Sequence, residues 1–167
     1  MNKTIVVVGA SRGIGKALVE LLAKNKEFTI YALSRNIELL TANFKGCKNV
    51  ISAKFDLEHS VEQQLQTIFS VKPQIDILIN NAGIGSFSTT IDEIPVQTWL
   101  DVVSINLTGS FLCARAAFKI MREQSPQGGR IINNGSISAH APRPGSIPYT
   151  STKHAITGLT RSLSLDG

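Results

Sequence analysis

Cysteine, histidine and aromatic side chains are scarce in this chain, and each scarcity excludes a class of protein. The two cysteines, Cys47 and Cys113, lack metal-ligand spacing and read as reduced thiols, which suits a cytoplasmic setting. Of the three histidines, His140 and His154 have no partner cluster, so neither a metal site nor a Ser-His-Asp triad is supported. His59 stands at a helix entrance. Aromatic residues make up 6% of the chain and are not interleaved with the basic ones, and no Lys/Arg run exceeds two. The signature of nucleic-acid binding is therefore missing. Long apolar runs are absent too: Ile5-Val-Val-Val8 is ended by Gly9, too short for a signal peptide, and nothing approaches a membrane span. No repeat, low-complexity tract or linker interrupts the chain.

What remains is the composition of one soluble domain of 167 residues, 43% hydrophobic and 17% charged. Seventeen basic against twelve acidic side chains give +5, an excess suited to a polyanionic cofactor. Apolar runs alternate with helix-period segments, the pattern of a parallel sheet covered by helices. Strands are predicted at Thr4–Val8, Phe28–Leu33, Val50–Phe55, Ile75–Ile79 and Arg130–Asn133. Ile14, Leu18, Leu21 and Leu22 recur with helical period and predict an inward face. Short helices are expected at Ile37–Phe44 and, opened by a Ser60-Val-Glu-Gln63 capping box, up to Phe69. Pro73 precedes the fourth strand, and Gly83 and Gly85 break the chain after it. Pro95 suits a first helical position, and from there to Arg122 two consecutive helices are expected, with Asn106 near their join. A Pro-rich loop leads to a last helix from about Tyr149.

Two constellations bear chemistry. The turn Gly9-Ala-Ser-Arg-Gly13-Ile-Gly15 lies between a predicted strand and a predicted helix. Glycine there lets backbone approach phosphates, and the free N–H groups of a helix start attract negative charge. Such a turn can also simply join strand to helix, and its spacing is not G-x-G-x-x-G. Tyr149 and Lys153 share a helix face at i and i+4. A free phenol titrates near pH 10, and a neighbouring ammonium favours the phenolate, which makes the pair a possible acid/base; it could equally be a surface pair. Ser136, at the end of the fifth strand and thirteen residues before Tyr149, supplies the context. Chemistry in doubly wound sheets sits at the carboxyl ends of strands.

Gly9 to Gly15, Asn80-Asn81-Ala82-Gly83 and the Ser136–Tyr149–Lys153 spacing together resemble the short-chain dehydrogenase/reductase family. Val8 departs from that pattern, which usually has Thr before the first glycine. The resemblance implies an α/β fold, a doubly wound parallel sheet (Rossmann-like) of order 3-2-1-4-5, in one domain over 1–167 that is incomplete at its C-terminal end. It implies an oxidoreductase that reduces a carbonyl to an alcohol, with Ser136 binding the substrate oxygen, Tyr149 passing the proton, Lys153 holding the nicotinamide ribose and Asn106 a relay water. Ser138 is a rival hydroxyl at the wrong spacing. Cofactor contacts would come from Gly9, Ser11, Arg12, Gly13, Ile14, Gly15, Ser34, Arg35, Asp56, Asn80, Ala82, Gly83, Tyr149 and Lys153. Asp56 resembles an adenine contact, although a helix-entrance Asp is a plain alternative. Tyr31 to Ile37 contains no Asp or Glu, and Arg12 and Arg35 flank the expected 2′ position, so NADP is expected rather than NAD.

His140, Arg143 and the neighbouring prolines would form one wall of the substrate pocket. The family fold continues with two more strands and a substrate segment, so the chain is expected to be its cofactor-binding and catalytic portion. As 167 residues alone it is expected not to turn over. The resemblance also implies a homo-oligomer, tetramer or dimer, with Phe111 and Phe118 at its interface or in the core. A non-catalytic NADP-binding or interaction protein is the alternative. An epimerase-type relative would space its glycines differently.

Overall fold

The computed structural model describes residues 2–69, 74–85 and 90–167, and Pro73 lies outside them. Five parallel strands form one sheet: β1 (Lys3–Val8), β2 (Phe28–Ser34), β3 (Val50–Lys54), β4 (Ile77–Asn80) and β5 (Arg130–Asn133). Their order is β3-β2-β1-β4-β5, as expected. Ile5 pairs with Ile30 on one side and Ile77 on the other, so β1 is the middle of the sheet. Between strands run α1 (Gly13–Leu22), α2 (Ile37–Asn43), α3 (Val61–Phe69), α4 (Val96–Val103) and α5 (Ser110–Glu123); α6 (Ile147–Asp166) follows β5.

Side chains alternate across a strand, and β1 uses both faces. Ile5 and Val7 pack with Val19, Ala23 and Leu40 of the α1/α2 layer. Val6 and Val8 pack with Val61, Leu65, Cys113, Ala117 and Met121 of the α3/α5 layer. Each fully buried Val, Leu or Ile among them contributes roughly 1.5–3 kcal/mol. Helices on both faces make the sheet doubly wound, with its crevice beyond the carboxyl ends of the strands.

Four sequence expectations are corrected. Ile14 and Leu21 are exposed (64% and 62%), and the inner face of α1 is instead Gly15 and Val19, with Leu18 and Leu22 partly buried. Gly15 sets this phase: a Cβ on it would lie 2.1 Å from the Gly9 carbonyl oxygen, so the helix docks through its glycine. The Ser60 capping box is replaced by another device. Ser60 adopts φ +40, and Gln64 reaches back to the Asp56 backbone N–H (2.9 Å), the Asp56 carbonyl (2.8 Å) and the His59 carbonyl. β4 begins at Ile77 because the Ile75 amide is bonded to the Gln124 side chain (2.9 Å), outside the ladder. α6 begins at Ile147, with Pro148 in the first turn, where its missing N–H has no intrahelical partner to lose.

The expected join at Asn106 is a π-helical stretch, Ser104–Gly109, through which α4 runs into α5 without a break. Insertions of this kind often mark functional positions. Phe111 is exposed and Phe118 half-buried. No helix among the described residues is long and apolar enough to cross a membrane.

Candidate active site at the carboxyl edge of the sheet

All five strand ends open onto one cleft of about 630 Å³. Small-molecule sites span roughly 300–1,000 Å³. Its floor is the glycine turn. Gly9, at φ +81, has room for no side chain, since a Cβ would meet the Ala82 backbone at 2.7 Å. Gly13, at φ +55, starts α1, and a Cβ on it would meet nothing within 4 Å. Packing therefore explains Gly9 and Gly15, whereas open space lies beside Gly13 where the first N–H groups of α1 emerge. Those groups and the helix dipole favour an anion. A dinucleotide's phosphates fit this cradle.

Beside the turn, the Ser34 hydroxyl donates to Ser11 (2.9 Å) and Arg35 pairs with Glu58 (2.9 Å). Arg12, Ile14, Leu39 and Asp56 complete this end of the cleft. Burial pushes the Asp56 carboxyl upward, but the Glu58 N–H, the His59 ring and the charges of His59 and Arg35 outweigh it. The net position is below the ordinary carboxylate value. Asp56 thus caps its own turn as well as lining the cleft.

At the other end stand Tyr149 and Lys153, side by side on α6 as their spacing requires, with the ammonium 5.5 Å from the ring centre. Lys153 is 5% exposed and has no carboxylate partner among the described residues; its Nζ donates to the Asn134 carbonyl (2.7 Å). Burial lowers its pKa below the usual lysine value. Asn134 also donates through its amide to the Asn81 side chain (3.0 Å), which donates to the Gly9 carbonyl (3.1 Å). A continuous polar chain therefore ties the lysine to the glycine turn.

Two predicted residues, Asn80 and Asn106, stand behind the cleft rather than in it. Asn80 is buried and donates to the Ser110 carbonyl (3.1 Å) and Asn133 (2.9 Å), leaving Asn81 as the cleft residue of that pair. Asn106 is 1% exposed. Its amide accepts from the Ile84 N–H (2.8 Å) and donates to the Ile84 carbonyl (2.9 Å), clamping the Gly83–Gly85 loop that lines the cleft. Ser136 is half-buried and accepts from the Ser138 N–H (3.1 Å). Its rival Ser138 is fully buried, with Arg143 donating to its hydroxyl (3.4 Å), and so is closed to any ligand.

Glu58 and Asn134 were missed in the sequence. Strand register is the signal that finds both. Ser34 lies opposite Lys54, which brings the segment after β3 beside Arg35. Asn80 lies opposite Asn133, which sets Asn81 beside Asn134.

The short chain dehydrogenase family model matches residues 3–167. Among curated proteins, the chain is 31% identical to a 3beta-hydroxysteroid dehydrogenase of Mediterraneibacter gnavus, over 99% of this chain and 60% of that one. It is 29% identical to Glucose 1-dehydrogenase 2 of Bacillus subtilis, over 99% of this chain and 66% of the relative. The chain thus spans less than two thirds of the length of these relatives. Among solved structures, ElxO with NADP bound superimposes with a TM-score of 0.88 at 29% identity, covering 99% of this chain and 68% of ElxO.

Proposed function

The chain belongs to the short chain dehydrogenase family, and from that premise we propose that it forms the cofactor-binding and catalytic part of an NADP-dependent oxidoreductase interconverting a carbonyl and an alcohol. The observation that carries this reading is the phenol of Tyr149 beside a desolvated ammonium at one end of a cleft whose other end is a phosphate cradle. Bound NADPH supplies the hydride; the proton must come from the protein. Tyr149 donates that proton to the substrate oxygen as it gains negative charge, and takes it back in the oxidative direction. Lys153 provides the uncompensated positive charge that stabilises the resulting tyrosine oxyanion, with Asn134 holding its Nζ in place. Ser136 donates a hydrogen bond to the same substrate oxygen. Asn106 is a positioning residue, acting through the Ile84 backbone.

The glycine turn with Ser11, Ile14 and the start of α1 holds the pyrophosphate. Arg12 and Arg35 meet a 2′-phosphate, with Ser34 beside them and Asp56 at the adenine. NADP stands bound in the ElxO neighbour, which supports this choice. The substrate is a small carbonyl compound or alcohol, and the setting is cytoplasmic. A homo-oligomer would cover Val96, Trp99, Leu100 and Phe111, which are exposed along α4 and α5.

The decisive experiment uses a form carried to the length of the relatives and compares it with its Tyr149→Phe variant. NADPH should bind both within about twofold, while turnover of a carbonyl panel falls by at least roughly a hundredfold, the scale of a lost general acid. Turnover that survives the substitution removes Tyr149 from the chemistry, and NADPH binding by a parent inactive on every carbonyl replaces the enzyme with a binding protein.

A further inference from the structure

We propose that Glu58 sets the cofactor discrimination of this cleft, by holding Arg35 from the β3 side and restraining the preference for a 2′-phosphate. The proposal rests on the dinucleotide reading above. No acidic residue occurs between Tyr31 and Ile37, yet the fold supplies one in space: Glu58 reaches across from the segment after β3 and pairs with Arg35 at 2.9 Å. Both line the cleft together with Arg12, Ser11 and Ser34.

The carboxylate is built into its position. Gln64 bonds the Asp56 backbone on both sides, and the Asp56 carboxylate accepts the Glu58 N–H at 3.0 Å, so the turn carrying Glu58 is fixed by the fold. The pair itself is partly solvated, with side-chain exposures of 57% for Arg35 and 32% for Glu58. Exposed ion pairs are weak, so a phosphate with its greater charge can take Arg35 from Glu58. The carboxylate then stands beside a dianion and opposes it. The same carboxylate is a suitable acceptor for the 2′-hydroxyl of an unphosphorylated ribose. Glu58 therefore narrows the gap between the two cofactors from both directions, and Arg12, in no ion pair among the described residues, supplies the remaining attraction for phosphate.

The test is a fluorescence titration of NADPH and NADH against the parent, Glu58→Gln, Arg35→Gln and the double variant. Glu58→Gln should raise the NADPH-over-NADH affinity ratio by roughly three- to tenfold. In the Arg35→Gln background that gain should shrink. An unchanged or smaller ratio in Glu58→Gln overturns the proposal, and an undiminished gain without Arg35 overturns its mechanism. A parent that prefers NADPH with a ratio unmoved by Glu58→Gln leaves the NADP reading intact and refutes this one alone. A parent that prefers NADH but shifts toward NADPH on Glu58→Gln does the reverse. Binding of neither cofactor refutes both.

Discussion

Replacing Gly15 with alanine tests whether the cradle exists because α1 docks through a glycine. The added Cβ would lie 2.1 Å from the Gly9 carbonyl oxygen and 2.7 Å from Asn81 Nδ2. Comfortable contacts begin near 3.5 Å, so helix and turn would have to part by more than about 1 Å. The obstruction is a backbone oxygen already bonded to Asn81, which puts the strain at or above the upper end of the roughly 1–3 kcal/mol cost of overpacking. Alanine's higher helix propensity returns about 1 kcal/mol. A net loss of about 2 kcal/mol follows, which lowers the melting temperature by roughly 4–8 °C in a domain of this size. Gly13→Ala provides the contrast. Its Cβ would meet nothing, so only the left-handed conformation at φ +55 is penalised, by about 1–2 kcal/mol. Thermal unfolding by circular dichroism and NADPH titration read both variants. Gly15→Ala should cost at least as much stability as Gly13→Ala, and both should weaken NADPH binding. A Gly15→Ala protein that melts with the parent would refute docking through Gly15, whatever its cofactor affinity.

Three further outcomes follow from titrating groups. Burial pushes the Cys113 thiol up to about 12, so at pH 8 iodoacetamide should label Cys113 only after unfolding, as read by peptide mass spectrometry. Asp56 has a folded pKa below its ordinary 3.8, so it contributes stability that is present above that value and lost as pH falls through the folded one. Asp56→Asn should flatten acid destabilisation in urea melts, and a slope equal to the parent's would refute the assignment. Lys153 has a folded pKa lowered by burial, so its cost is full below that value and disappears as pH rises toward 10.5. Lys153→Met should therefore abolish turnover yet gain stability over the parent at neutral pH, with the gain closing as pH rises; a pH-independent loss would contradict it.

The parallel sheet was legible because strands alternate with helical segments and each strand carries its own apolar run, whereas the strand order came from the family resemblance. β5 was predicted at its observed limits, since Gly128-Gly129 precedes it and polar residues follow. The phase of α1 was not legible, because periodicity counts apolar residues and assigns no weight to a glycine as a contact surface. Ile14 and Leu21 scored as inward for that reason, while Gly15 took the interior. Ser60 matched a capping pattern, but a competing local solution through Gln64 prevailed. At the site, Tyr149 and Lys153 could be paired from their spacing alone, since i and i+4 share a helix face. The choice between Ser136 and Ser138 rested on resemblance in the sequence, and burial gives it a physical basis. Glu58 and Asn134 needed the register between neighbouring strands, information that exists only once the sheet is formed.

The polar environment of Lys153 has a chemical logic that its stability cost alone would hide. An ammonium buried without a carboxylate is destabilising, and an ion pair would have been the ordinary remedy. A carboxylate, however, would cancel the charge that the proposed mechanism asks Lys153 to offer when the Tyr149 oxygen becomes negative. The carbonyl of Asn134 is a different partner: it fixes Nζ at 2.7 Å but carries no net charge, so it orients the lysine without neutralising it. Asn134 is held in turn by Asn81, and Asn81 by the Gly9 carbonyl of the cofactor turn. Gly9 can be approached so closely because it has no side chain, and its φ of +81 is what turns the chain there. The backbone geometry that opens the proposed phosphate cradle at one end of the cleft thus also anchors the proposed acid/base pair at the other. Substitutions at Asn81 or Asn134 would loosen both ends together, although neither residue carries a charge.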